Sequence, residues 1–265
     1  MRTRTHIQRF RSDSREFGRR YAAAWYLALL TDRWLAAPVQ NFLLNVEGRR
    51  GVLGPAHRGY RGHSGRENRE IWEEYDWRGD AEDWTPSAEW KAWVVDQLLR
   101  PTMSGGGVIV EIGPGGGRWS KLLCEWADEL VLVDVTERTL ALCRERLGTN
   151  SNVRFIQNRG SDLPGVADDS VDRVWSFDVF VHIAPVDVAG YLSELARVLR
   201  PGGVAVIHHS GISRATRHEH GWRSPMTGQL FANLARERGL KVVHQWEEWP
   251  ARRAELGDVI TELTR

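Results

Sequence analysis

Glu111, Asp134, Asp178, His182, His208 and His209 each stand at or near the end of an apolar run, and Gly113-Pro114-Gly115-Gly116-Gly117 follows the first of these runs. Glycines in such a place let the backbone approach a ligand closely and adopt positive φ, as a nucleotide-binding turn requires. Glu111, two residues ahead of the turn, can receive a cationic amine and would repel a phosphate. Asp134 lies ~20 residues beyond the glycines, the spacing at which a carboxylate bonds both hydroxyls of a ribose. The histidines suit a different task. An aliphatic hydroxyl is a poor nucleophile at neutral pH, so group transfer to it calls for a general base, most often His. Asp178 and His182 are four apart and share a face in strand or helix, so Asp178 can orient His182 or help hold a metal. His208 and His209 are neighbours on an expected strand and point oppositely, so only one of them can face a site.

The elements that position these residues are legible as alternating patterns. Val108–Ile112, Leu130–Asp134, Val153–Ile156, Val171–Asp178 and Val204–Ile207 are rich in β-branched residues and read as strands buried on both faces. Helical spacing fills the intervals, with helices expected from Trp119, over 136–147 and over 186–199. A helix begins at Thr85-Pro86 and ends before Pro101, another begins after Ser224-Pro225, and strands at 240–245 and 258–263 close the chain. Residues 17–37 carry helical spacing, residues 42–46 form a short apolar stretch, and the Gly- and Arg-rich residues 48–65 read as a mobile loop. Two units are expected: a helical appendage over 1–66, acting as a lid, a dimer arm or a docked helical pair, and a sheet domain over 67–265.

The order Glu111-x-Gly113-x-Gly115-x-Gly117 resembles motif I of the class I S-adenosylmethionine (SAM) methyltransferases. Leu199-Arg200-Pro201-Gly202-Gly203 before a strand is a second hallmark of that family. The segment Trp72-Glu73-Glu74-Tyr75-Asp76-Trp77, with Trp84 and Trp90, is similar to the lead-in of natural-product methyltransferases of the orthosomycin sugar type, where it packs over the SAM pocket. The likeness runs from about Asn68 onward. It implies a Rossmann-like α/β fold, a seven-stranded sheet with the last strand antiparallel. It also implies SAM as cofactor, leaving S-adenosyl-L-homocysteine, with Glu111, Gly113, Gly115, Gly117, Arg118, Trp119, Asp134, Ser161, Asp162, Leu163 and Phe177 as its contacts. Asp162 takes the place of the acid that accepts from the adenine amino group. The catalytic candidates are His182, His208, His209 and Asp178, with His182 favoured because Asp178 can hold its tautomer.

The implied reaction is O-methylation of a small natural product, a (deoxy)sugar of an antibiotic being the expected acceptor. N- or C-methylation of another metabolite is the alternative. A NAD-dependent oxidoreductase fits less well, because the G-x-G-x-x-G fingerprint would put Arg118 at its third glycine. A non-catalytic SAM-binding scaffold would lack the polar strand ends. The Asn/Asp-Pro-Pro-Tyr/Phe signature of many nucleic-acid amino-methylating enzymes is absent, Ser176-Phe177-Asp178-Val179 standing in its place.

Composition sets the remaining bounds. A net charge of +1 over 265 residues argues against a general polyanion-binding role, so no nucleic-acid partner is expected, although an arginine-rich start leaves an RNA-binding arm as a third reading of the appendage. No stretch reaches the ~20 apolar residues of a membrane span and no signal peptide is evident, so a cytoplasmic protein is expected. The two cysteines lack metal-ligand neighbours. His218-Glu219-His220 is a weak metal pattern, no metal ligands are assigned, and whether a divalent ion is needed is left open, as is a homodimer. The 13 tryptophans suit either core packing or stacking on a ligand.

Overall fold

In the computed structural model the described residues are 14–15, 17–30, 37–60, 62–77, 81–148, 150–213, 223–250 and 257–265. The helices are α1 (Arg19–Leu30), α2 (Ala37–Arg50), α3 (Pro55–Arg58), α4 (Gly65–Glu74), α5 (Ala88–Val94), α6 (Arg100–Met103), α7 (Ser120–Trp126), α8 (Glu137–Leu147), α9 (Pro185–Val198) and α10 (Gly228–Glu237). The strands are β1 (Val108–Ile112), β2 (Glu129–Asp134), β3 (Val153–Gln157), β4 (Val171–Phe180), β5 (Leu199–His209), β6 (Lys241–Trp246) and β7 (Val259–Thr264). They form one seven-stranded sheet in the order β3-β2-β1-β4-β5-β7-β6. The pairs from β3 to β5 are parallel, and β7 runs antiparallel to both β5 and β6, as the alternating pattern and its terminal strand pair required.

Strand alternation divides the core between the two sheet faces. Val110, Ile112, Val131, Val133, Val174 and Ile207 pack under Leu192, Leu195, Phe231 and Leu234 of α9 and α10. Ile109, Leu130, Leu132, Trp175 and Val206 pack on the other face against Leu98, Leu99, Leu123 and Leu140. The polar strand-end residues inherit this parity. His208 follows Val206 onto the second face, and His209 follows Ile207 onto the first.

Several local expectations shift. Ser87, not Thr85, caps α5, accepting from Trp90 N–H at 3.1 Å, while the Thr85 hydroxyl goes to Glu82 at 2.5 Å. The helix does not stop before Pro101. Between α5 and α6 it widens into a π-helical turn over Val95–Leu99, which accommodates a residue that lacks an N–H and crowds the preceding turn. Thr227 rather than Ser224 caps α10, and Ser224 N–H is instead bonded to Val181 O at 2.8 Å.

The expected mobile loop over 48–65 holds α3 and the fully buried His57. Residues 17–60 hold a small core cluster, with Phe17, Tyr21, Trp25, Leu43, Leu44, Ala56 and Tyr60. They are also fastened to α10 and its cap: Thr227 Oγ1 donates to Gly48 O and Asn233 Nδ2 to Gly51 O, each at 2.9 Å. Among the described residues no helix is long and apolar enough to cross a membrane. The arginine-rich start and His218-Glu219-His220 lie outside the described residues.

Gly113 illustrates how sequence, backbone and packing meet at the head of the site. Its N–H bonds Val133 O at 2.8 Å, its φ is +70°, and an added Cβ would stand 2.4 Å from Val179 Cγ2. Gly113→Ala is therefore expected to cost about 1–3 kcal/mol through strain and overlap. Urea unfolding of the two proteins checks this, and an unchanged midpoint would remove the steric account.

Candidate active site

A cavity of about 260 Å³ opens at the carboxyl ends of β1, β2, β4 and β5, where ligands of open parallel sheets bind. One half is built on the glycine turn. Gly113, Gly115, Gly116, Asp134, Val135, Gly160 and Tyr191 line it. Asp134 Oδ1 accepts from the Thr136 N–H at 2.8 Å and the Thr136 hydroxyl at 3.0 Å. Burial raises the pKa of this carboxyl, and the hydrogen bonds from Thr136 and Thr139 oppose that rise.

The segment before the sheet covers this half. Trp77 lies so close over Gly115 that an added Cβ would meet its ring at 2.8 Å. The start of α4 rests on Gly160, and Arg69 bonds Val135 O and Asn158 O, both at 2.9 Å, tying α4 to the ends of β2 and β3. Asn158 in turn donates to the Tyr191 hydroxyl at 2.7 Å.

The other half is aromatic and charged. Trp90, Trp119, Phe177 and Trp249 form walls around Arg118, Asp178, His182, His208, Arg223 and Asp258. Asp178 adopts φ +63°, an unusual backbone for a residue with a Cβ, just where β4 makes its irregular pairing with β5. There its carboxylate meets Arg118 Nη2 at 2.6 Å and His208 Nδ1 at 3.2 Å. Burial alone would raise the Asp178 pKa, but Arg118 and His208 overcome it and hold the carboxyl far below the ordinary range. The Arg118 guanidinium also lies over the Trp119 ring, 4.7 Å from its centroid.

His208 sits between two carboxylates. Its Nε2 is 3.7 Å from Asp258 Oδ2, and Asp258 is itself gripped by Arg223 through contacts of 2.8–3.0 Å. The ring stacks on Phe177 at 4.5 Å and meets Trp249 edge-on at 5.2 Å. Burial disfavours the charged ring, yet Asp178 and Asp258 together raise its pKa above 6.5. Two tautomers are served at Nδ1: it can accept from Asp178 N–H at 3.1 Å, or donate to the Asp178 carboxylate. The second leaves a lone pair at Nε2, which has no hydrogen-bond partner. That tautomer can take a proton.

Gly113, Gly115, Arg118, Trp119, Asp134, Phe177, Asp178, His182 and His208 all line the one cavity. The expected partnership of Asp178 with His182 is replaced by Asp178 with His208. His182 meets Trp72 edge-on at 5.3 Å, and burial, then Arg223 and His63, lower its pKa to about 3. His209 faces away, stacked on Phe231 at 3.9 Å and bonded to Thr261 Oγ1 at 2.8 Å.

Glu111 also lies off the cavity lining. Strand parity turns it under α7, where it takes the Ser120 hydroxyl at 2.5 Å, and burial pushes its pKa up to about 7 against the pull of Ser120 and Arg118. Gly117, Ser161, Asp162 and Leu163 are outside the lining too. Asp162 Oδ1 accepts from Arg159 N–H at 2.8 Å, closing its own turn, and Leu163 is core with its N–H on Glu194. Tyr191, Asn68, Arg223, Trp249 and Asp258 were missed. Asp258 at a strand start beside the 204–207 run was the one available signal. Among the described residues no three His, Cys, Asp or Glu side chains gather as metal ligands would.

Residues 110–207 match the sequence family described as a methyltransferase domain. A Mycobacterium avium protein carrying an O-methyltransferase name is 34% identical over 124 residues, which are 43% of this chain and 53% of that protein. The chain thus spans about half the length of the curated relative it matches. The crystal structure of an S-adenosylmethionine-dependent methyltransferase from Mesorhizobium loti superposes with a TM-score of 0.53 at 20% identity, covering 68% of this chain and 99% of that one. The Burkholderia thailandensis 1,6-didemethyltoxoflavin N1-methyltransferase, solved with its acceptor and S-adenosylhomocysteine, gives a TM-score of 0.53 at 23% identity, covering 70% and 82%. Residues 110–207 thus carry the likeness to a methyltransferase domain, and the sheet around them shares the fold of the Mesorhizobium loti S-adenosylmethionine-dependent methyltransferase.

Proposed function

We propose that the chain transfers a methyl group from SAM to a hydroxyl of a small natural product, with His208 as the general base. The residues at the glycine turn fit the cofactor: a carboxylate that lines the cavity stands at the end of β2, glycines admit close approach, and Trp77 and Tyr191 offer apolar faces. When bound, SAM supplies an electrophilic methyl. Arg118 and Trp119 would hold its amino-acid end, and Asp134 would hold its ribose.

The observation that carries the reading is His208 held between Asp178 and Asp258 at the far side of the same cavity. Asp178 and Asp258 both stabilise the imidazolium that forms as the acceptor proton arrives at Nε2. Arg118 and Arg223 each face a carboxylate, so this end offers little net charge and suits an uncharged acceptor. The indole and phenyl walls suit an apolar ring face, which supports a sugar or aromatic ring bearing the hydroxyl. An antibiotic deoxysugar remains the finer proposal, supported by the Trp72–Trp90 segment. Labelled-methyl transfer to a panel of glycosides, phenols and heteroaromatic N–H compounds tests the acceptor atom; transfer to nitrogen alone would overturn the O-methylation reading.

Asp134→Ala is expected to weaken S-adenosylhomocysteine binding by about 1–3 kcal/mol, measured by calorimetry, and equal affinity would sink the ribose assignment. His208→Ala should lower kcat by about 10²–10⁴ while cofactor affinity holds, and His182→Ala should fall well short of that. The pH profile separates the two rings. His208 must be neutral to act and its pKa is raised, so kcat/KM should climb with pH through a midpoint above 6.5. His182, with a pKa of about 3, stays neutral across that window and would give no such limb. A flat profile between pH 6 and pH 9 would count against His208.

A further inference from the structure

Glu47 and His57 are both fully buried, far from the glycine turn, and neither has a part in the chemistry above. Glu47 on α2 accepts from Ala56 N–H at 2.7 Å, His57 N–H at 2.9 Å and the Tyr21 hydroxyl, and its Oε2 lies 2.6 Å from His57 Nδ1. Space is made for the carboxylate by Gly54, where a Cβ would stand 2.4 Å from Glu47 Cδ. A buried charge with this many donors is expensive to bring together, and an apolar pair would fill the same place at lower cost. The outward atom of the cluster suggests what it does. His57 Nε2 reaches across 168 positions of sequence to Pro225 O at 3.1 Å, and a carbonyl can only accept, so the ring donates.

Pro225 belongs to a short segment with the acceptor end of the cavity at its head. Two residues earlier, Arg223 grips Asp258 with its guanidinium, and Asp258 faces His208. Between them Ser224 N–H bonds Val181 O, next to His182. Two residues later the Thr227 hydroxyl bonds Gly48 O, one position beyond Glu47. The segment is thus clamped from residues 48–57 at two points and carries Arg223 two residues ahead of the first.

We infer that the Glu47–His57 pair is a positioning device, in which His57 holds the Pro225 carbonyl and so seats Arg223 on Asp258 beside His208. The appendage is then a working part of the acceptor site. The inference rests on His208 as the base only for its catalytic consequence; the seating itself can be read without any acceptor. The charged and titratable groups facing His208 are Asp178 and Arg118 from the β4 side, Asp258 and Arg223 from the β7 side, and His182 across the cavity, with His209 turned to the other sheet face. If Arg223 slackens, the Asp258 charge is less compensated and His208 binds its proton more tightly.

Ring-labelled histidine NMR of the full chain, titrated from about pH 5 to about pH 10, reads this directly, with the His208 signal assigned by His208→Gln. His57→Asn keeps a donor near the Nδ1 position, facing Glu47, but cannot reach Pro225. His57→Gln keeps a donor near the Nε2 position. The expected result is a proton affinity at His208 raised about threefold in His57→Asn, further in Arg223→Gln, and near the parent value in His57→Gln. Asn233→Ala, which removes the Gly51 contact of the same interface, should also stay at the parent value.

A folded His57→Asn with parent-like titration at His208 would overturn the proposal, and so would equal shifts in all three interface variants, which would mean general loosening. Should His57→Asn not fold, Thr227→Val loosens the same segment from Gly48 without touching the buried pair and is held to the same outcome. Calorimetry with SAM on the parent runs alongside. Absence of SAM binding would remove the methyl-transfer reading and leave the positioning result to stand or fall on the NMR.

Discussion

The site depends on one carboxylate in an unusual backbone position. Asp178 leaves β4 with φ +63°, and this turn lets one side chain reach Arg118 beyond the glycine turn and His208 at the end of β5. Three successive strand ends, β1, β4 and β5, are drawn together by it. The two cationic or ionisable partners outweigh the cost of burying the charge, which explains why a left-handed conformation is tolerated here. Arg118 is fixed from a second side by the Trp119 face, so its guanidinium is held by both charge and stacking. With Asp178 neutral or absent, Arg118 and His208 would each lose the partner that offsets their burial.

Around that point the cavity has two unlike halves. The glycine turn, Asp134 and Tyr191 form a half whose polar groups are already partly satisfied within the protein. In the other half the charges are paired off between aromatic walls, Arg118 with Asp178 and Arg223 with Asp258. Trp72 and Trp77 span both halves, meeting His182 and the glycine turn respectively. The packing over the glycine turn therefore also shapes the half of the cavity that holds His182.

Strand positions and the glycine turn were legible in the sequence because buried parallel strands and close backbone approach leave strong local marks. Period-two alternation correctly demanded that only one of His208 and His209 face inward, though not which, since the choice depends on which sheet face carries the cavity. The same alternation accounts for Glu111. Its place before the glycines suggested a ligand contact, and its parity with Ile109 turned it under α7 instead. Asp162 closes its own turn through Oδ1, which a carboxylate at a strand end does as readily as it binds a ligand. Arg223, Asp258 and Trp249 were not legible, since their importance comes only from a partner far away in sequence. The helix starts at Ser87 and Thr227 show the smaller error: more than one hydroxyl lay within reach of each cap, and tertiary packing chose between them.

The place of β7 in the sheet has a consequence for how the molecule comes into being. β7 is the last strand in the chain yet lies inside the sheet, between β5 and β6, so the long apolar edge of β5 has no neighbour until residues beyond 258 are available. Asp258 arrives with that strand. During synthesis, then, the chain passes through a stage in which the glycine-turn half of the cavity can close while β5 still presents an unpaired edge, the kind of surface that invites misassociation. A chain halted before residue 258 would have no Asp258 beside His208, and the arrival of β7 would complete the sheet and that side of the cavity together.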